Sequence, residues 1–142
     1  MNKITNTILI FVLFSSLLFA QNTEQDSIKS LTNKLFKFSK VENYSKAASL
    51  LAYDGNDQSR YLISPMNVND NKEEAKVKRI VKRIKAMLDI SDSFEFGEFS
   101  IKPDPKFNIY RMEVIFKSGG QELKTLFSFV KYSKTFLLTD LK

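Results

Sequence analysis

The sequence predicts an α+β fold, with N-terminal helices packed on a curved antiparallel sheet of about four strands. Three observations carry this. Apolar residues recur at helical spacing as far as Leu88, they alternate from Phe94 onward, and turn residues rather than long linkers occupy the junctions. No repeat or low-complexity segment interrupts that order, so residues 21–142 read as a single domain.

The first helix is expected to be capped by Asp26 or Ser27, with Ile28, Leu31, Leu35 and Phe38 on its apolar side. The pattern stumbles at SKVEN and resumes with Val41, Tyr44, Ala47, Ala48 and Leu51, ending before Gly55. This describes two helices, or one sharply bent, over residues 26–53. DGNDQS is a turn, and RYLIS reads as a short strand before Pro65. Asp70 with Glu73 has capping-box spacing and starts another helix at about Asn71. On that helix Val77, Ile80, Val81, Ile84, Met87 and Leu88 gather on one arc of about 120°. Lys76, Lys78, Arg79, Lys82, Arg83 and Lys85 occupy the rest of the circumference, and Glu74 lies one turn before Lys78.

After Asp92 the period becomes two. Phe94 and Phe96 share a face, and Phe99 and Ile101 are out of phase with them across Gly97, which marks a bulge. KPDPK turns the chain, and Tyr110, Met112, Val114 and Phe116 then alternate with polar residues. SGGQ is a hairpin turn, ELKTLFSFVKY the next strand, Ser133–Lys134 a tight turn and TFLLTDLK the last strand. The last two strands carry apolar residues on both faces. Helices would cover one face, and a second copy of the chain, forming a homodimer through the outer sheet face, would cover the other.

Residues 1–20 stand apart. Lys3 precedes an uncharged, mostly apolar run from Ile8 to Phe19, and Ala20 supplies a small residue before QNTEQDS. This is the pattern of a secretory signal peptide cut near Ala20, and the run is shorter than the about 20 residues that span a bilayer. The expected location is therefore exported, periplasmic or extracellular, with the domain soluble after cleavage. Absence of cysteine removes both disulfides and a lipidated N-terminal cysteine. The formal charge of +6 falls by one on loss of Lys3, a moderate balance that favours anionic partners weakly.

Helices followed by a third helix and a bent meander resemble the NTF2-like (cystatin-like fold) superfamily, in particular its small secreted bacterial members. FSKVENYSKAASLLAYDG is similar to the turn and second helix of such proteins, and TLFSFVKYSKTFLLTDLK to their closing hairpin. The resemblance implies a cone with a pocket at its open end. The superfamily includes isomerases, dehydratases and cyclases beside binding domains without chemistry. No position here matches the acidic and tyrosine residues of the catalytic members.

With no His and no Cys, a Ser-His-Asp triad, a Cys-His pair and ordinary zinc or copper sites are excluded. Neither a Walker A nor a dinucleotide fingerprint is present. NVNDNKEE lacks the glycine and closing glutamate of a calcium loop. No residue is therefore assigned as catalytic, cofactor-binding or metal-ligating. Tyr53, Asp54 and Tyr61 lie where the second helix feeds toward the sheet, and either border a pocket or pack a helix end. Tyr110, Met112, Phe127 and Phe129 either line an apolar cavity or form plain core. The bases from Lys76 to Lys85 are either a solvated face or an anion-binding one, with an anionic envelope component as partner. Nucleic acid is not expected, because the aromatics follow strand alternation rather than a basic stacking surface. The leading expectation is a non-catalytic binding or accessory domain, and the alternative is an isomerase- or dehydratase-type enzyme using Asp or Tyr.

Overall fold

The computed structural model describes residues 23–142, so the signal-peptide reading of residues 1–20 lies outside the described residues. The chain is α+β, as expected. Helix α1 covers residues 23–40, α2 Tyr44–Ala48 and α3 Asn71–Asp89. They are followed by strands β1 (Ser93–Lys102), β2 (Ile109–Ser118), β3 (Gln121–Tyr132) and β4 (Thr135–Leu141). The strands form one curved, unclosed antiparallel sheet in the order β1-β2-β3-β4.

The chain is already helical at residue 23, so Asp26 and Ser27 do not cap α1. The Ser27 hydroxyl instead donates to the Thr23 carbonyl at 2.8 Å. Ile28, Leu31, Leu35 and Phe36 are buried, and Phe38 is only half-buried. The helix stops where Glu42 adopts a left-handed conformation (φ 52°), and Asn43 N–H donates to the Phe38 carbonyl. Asn43 then caps α2 by accepting from Lys46 N–H at 3.0 Å.

α2 ends at Ala48, earlier than the helical spacing suggests, because the following residues are taken by the sheet. Ala52 N–H donates to Leu138 O and Leu138 N–H to Leu50 O, each at 2.8 Å, laying residues 50–52 parallel to β4. An antiparallel bridge then joins Ala52 to Pro65. RYLIS is a run of turns rather than a strand, and the extended pairing falls just after it. The outer margin of β4 is thus covered by the chain itself at Leu138, while β1 forms the other margin.

Asp70 caps α3 as its spacing predicts, accepting from Lys72 N–H at 2.9 Å and Glu73 N–H at 3.0 Å. Val77, Val81, Ile84, Met87 and Leu88 are buried, and Ile80 packs at the edge of the same stripe. The bulge sits where Gly97 places it, between Phe96 and Phe99. A side chain at Gly97 would bring its Cβ within 3.2 Å of the Glu113 Cβ on the facing strand. Gly119 and Gly120, at φ 54° and 82°, make the β2–β3 turn, and Ser133 at φ 53° makes the β3–β4 turn.

The main core lies between the helices and the inner face of the sheet. Phe36 of α1 meets Phe94 edge-on at 5.0 Å and Phe127 at 5.8 Å. A smaller cluster on the outer face explains why the last two strands are apolar on both sides. Val130 and Leu137 are covered there by Ala52, with Leu62, Phe107 and Ile109 packed around them. Phe127→Ala should lower the unfolding free energy by about 3–5 kcal/mol in urea titration, whereas Val41→Ser should change it by less than about 0.5 kcal/mol.

Candidate functional site

The placement of α3 determines where its bases point. Its buried stripe faces the sheet, so the flanking residues fall on opposite sides of the helix. Lys78 and Lys85 lie on the side toward α2. Lys78 pairs with Glu74 at 2.7 Å and its ammonium is 5.8 Å from the Tyr44 ring, and Lys85 pairs with Asp89 at 2.9 Å. Asp89 raises the Lys85 pKa above its ordinary value through that hydrogen bond.

Lys76, Arg79 and Arg83 lie on the other side and line a groove with a cavity volume of about 540 Å³. That is within the usual range for small-ligand sites. The facing wall is the end of β4, with Thr139 and Asp140, and the end wall is the segment after residue 52, with Asp54 and Tyr61. Two groups of residues that sequence reasoning treats separately, the polar-aromatic segment and the basic face, therefore meet in one place.

The bases of the groove are not equivalent. Lys76 is paired with Asp54, and Arg83 donates to the Leu141 carbonyl at 2.9 Å. Arg79 is exposed and has no hydrogen-bond or ion-pair partner among the described residues, and the same holds for Lys82 on the neighbouring flank. Asp140 is engaged by Lys142 at 3.2 Å. The groove thus offers one free guanidinium and, one helical turn away, a second with donors to spare.

The end wall is held down by Arg60. Its guanidinium makes two parallel bonds to Glu73 at 2.7 and 3.0 Å, a third to the Pro65 carbonyl at 3.3 Å, and lies 4.0 Å from the centre of the Tyr53 ring. Glu73 also accepts from Asn67 N–H at 2.7 Å. In a capping box that carboxylate would reach back to the cap residue; here it is drawn to Arg60 instead. Tyr53 is consequently turned away from the groove, and its hydroxyl accepts from Asp57 N–H at 3.2 Å.

Tyr110, Met112, Phe127 and Phe129 are not brought to the groove. They are buried in the main core, which is the plain-core alternative for these side chains. The Tyr110 ring packs edge-on against Phe136 at 4.9 Å, and its hydroxyl donates to Glu24 Oε1, which also accepts from Lys131. Burial and then the Glu24 charge push the Tyr110 pKa above its ordinary value.

Sequence reasoning missed Arg60, Thr139 and Asp140. Glu73 carried a signal, its spacing from Asp70, but that spacing does not reveal which donor the carboxylate meets. No group of three or more carboxylates able to hold a metal ion occurs among the described residues. No helix among them is long and apolar enough to cross a membrane.

Glu73 is only 9% exposed, and the bonds from Arg60, followed by the Asn67 amide, hold its pKa below the ordinary 4.5. A depressed carboxyl stabilises the fold above its unfolded pKa, and that contribution disappears as pH falls through the folded value. Wild-type stability should therefore decline as pH drops below about 4.5, and Glu73→Gln should flatten that decline in denaturant titrations. Glu73→Ala should cost about 2 kcal/mol at neutral pH, less than a fully buried pair because Arg60 is partly solvated.

Compared with protein-family models, with characterised proteins and with solved structures, the chain matches none.

Proposed function

We propose that this protein is a small exported, non-catalytic binding domain of NTF2-like type, and that it holds an anionic partner in the groove between α3 and the end of β4. The observation that carries the reading is Arg79. An exposed guanidinium without a partner among the described residues, beside a second one that keeps donors free, lines a concavity large enough for a small ligand. The other bases on the α2 side already have carboxylates, so they are weaker candidates.

The carboxylate chemistry also favours binding over catalysis. A general base works best with a pKa raised toward neutrality in a sequestered site. The most buried carboxylate among the described residues, Glu73, is shifted the other way by Arg60. The order of helices and meander, and the closing hairpin that ends the sheet, support the NTF2-like assignment. The signal-like segment before residue 21 supports export and an anionic envelope component as the natural partner.

Residues 21–142 should bind anionic vesicles or acidic polysaccharide at low salt and release them as ionic strength approaches about 0.15 M. The double variant Arg79→Gln/Arg83→Gln should weaken binding about tenfold or more, and Lys78→Gln/Lys85→Gln should leave it nearly unchanged. Equal loss in both variants would place the contact on the whole helix rather than in the groove.

A further inference from the structure

The lining of the groove narrows the chemistry of its ligand, granted the reading of the groove as a binding site. Its apolar members offer little surface. Leu138 and Leu141 are 2% and 5% exposed, already covered by the fold, which leaves the half-buried Leu62 and Ile80. An acyl chain would gain little from so small an apolar floor, because hydrophobic binding scales with the area removed from water.

The accessible lining is otherwise mixed, with polar and apolar atoms in similar measure. Tyr61 presents a ring at 37% exposure. Asp54, Thr139 and Asp140 supply carboxylate and hydroxyl oxygens, and Arg79 and Arg83 supply planar guanidinium donors. Acceptor oxygens suit a ligand rich in hydroxyl groups, which donate to them. Guanidinium forks suit its carboxylates, and an exposed aromatic ring suits the flat face of a sugar. The bases and acids also sit on opposite walls, the bases on α3 and Asp140 on β4, so one ligand can meet both.

We infer that the groove between α3 and β4 binds an acidic saccharide, with uronate carboxylates on Arg79 and Arg83, a sugar ring against Tyr61, and sugar hydroxyls donating to Asp54, Asp140 and Thr139. The Lys76–Asp54 pair keeps one oxygen acceptor oriented at the groove's end. The ligand is a carbohydrate acid rather than a lipid surface, because its hydroxyl groups and its ring faces both have partners in a mixed lining, whereas an acyl chain would cover only a small apolar floor and leave the polar groups unmet.

The test is isothermal titration of residues 21–142 with a galacturonate hexamer, a neutral galactose hexamer, inorganic phosphate and vesicles containing anionic lipid. Arg79 lacks a partner among the described residues and Tyr61 is exposed, so Arg79→Gln and Tyr61→Ala should fold as the wild type does, which thermal unfolding verifies. The expected result is saturable binding of the acidic hexamer and none of the neutral one, weakened about tenfold by Arg79→Gln and about fivefold by Tyr61→Ala. Equal binding of inorganic phosphate, or no effect of Tyr61→Ala, would overturn the saccharide and leave a general oxyanion site. Binding to vesicles alone, lost in Arg79→Gln, would keep the groove and replace the sugar with a lipid head group. No binding to any of the anions would overturn both the ligand and the groove.

Discussion

The requirement that α3 bury one stripe against the sheet governs the rest of the molecule. Val77, Val81, Ile84 and Leu88 enter a core whose other side is built from Met112, Val114, Phe116, Phe127 and Phe129. Each such side chain contributes about 1.5–3 kcal/mol by leaving water, and without any cysteine no covalent link shares the task. Once the stripe is fixed, the charged residues of the helix have no freedom of direction. Two bases are turned toward α2, three toward β4, and Lys82 is left outside both. A helix that reads as uniformly basic thus becomes two surfaces of different character. One is neutralised by its own carboxylates and one is only partly so.

What was legible in the sequence was local. The α3 cap, its apolar arc, the bulge at Gly97 and the two hairpin turns follow from residues a few positions apart, where geometry leaves few choices. The fold class followed from the change of period near Asp92. The pairing of residues 50–52 with β4 was not legible, because an apolar stretch after a helix looks like more helix until a distant strand competes for its amides. The groove was not legible for the same reason. Asp54 and Lys76 are separated by 22 positions and Arg83 from Leu141 by 58, so nothing in local spacing brings them together. Their residue types were noticed separately, and only the fold makes them neighbours.

The segment between residues 53 and 66 shows how a turn-rich stretch becomes the wall of a groove. It has little core of its own. It is fastened by one guanidinium that meets a carboxylate, a carbonyl and an aromatic ring at once. Those contacts set the position of Asp54 and Tyr61 from behind, without any of the fastening groups facing the groove. The groups that hold the wall therefore differ from those that line the groove, with Arg60 and Glu73 behind the wall and Arg79 and Tyr61 in front of it.

The two margins of the sheet have a consequence at a larger scale than one molecule. An unpaired margin is where strands from other chains add, and repeated addition is how sheets grow into fibres. On the β4 side the margin is occupied at Leu138 by residues 50–52, themselves backed by Pro65, which has no amide hydrogen to offer. On the β1 side the register is broken at Gly97, and Glu95, Glu98 and Lys102 are exposed along it. Neither margin is thus a flat, continuous template for a further strand, and the sheet carries at both edges the kind of interruption that disfavours edge-to-edge growth.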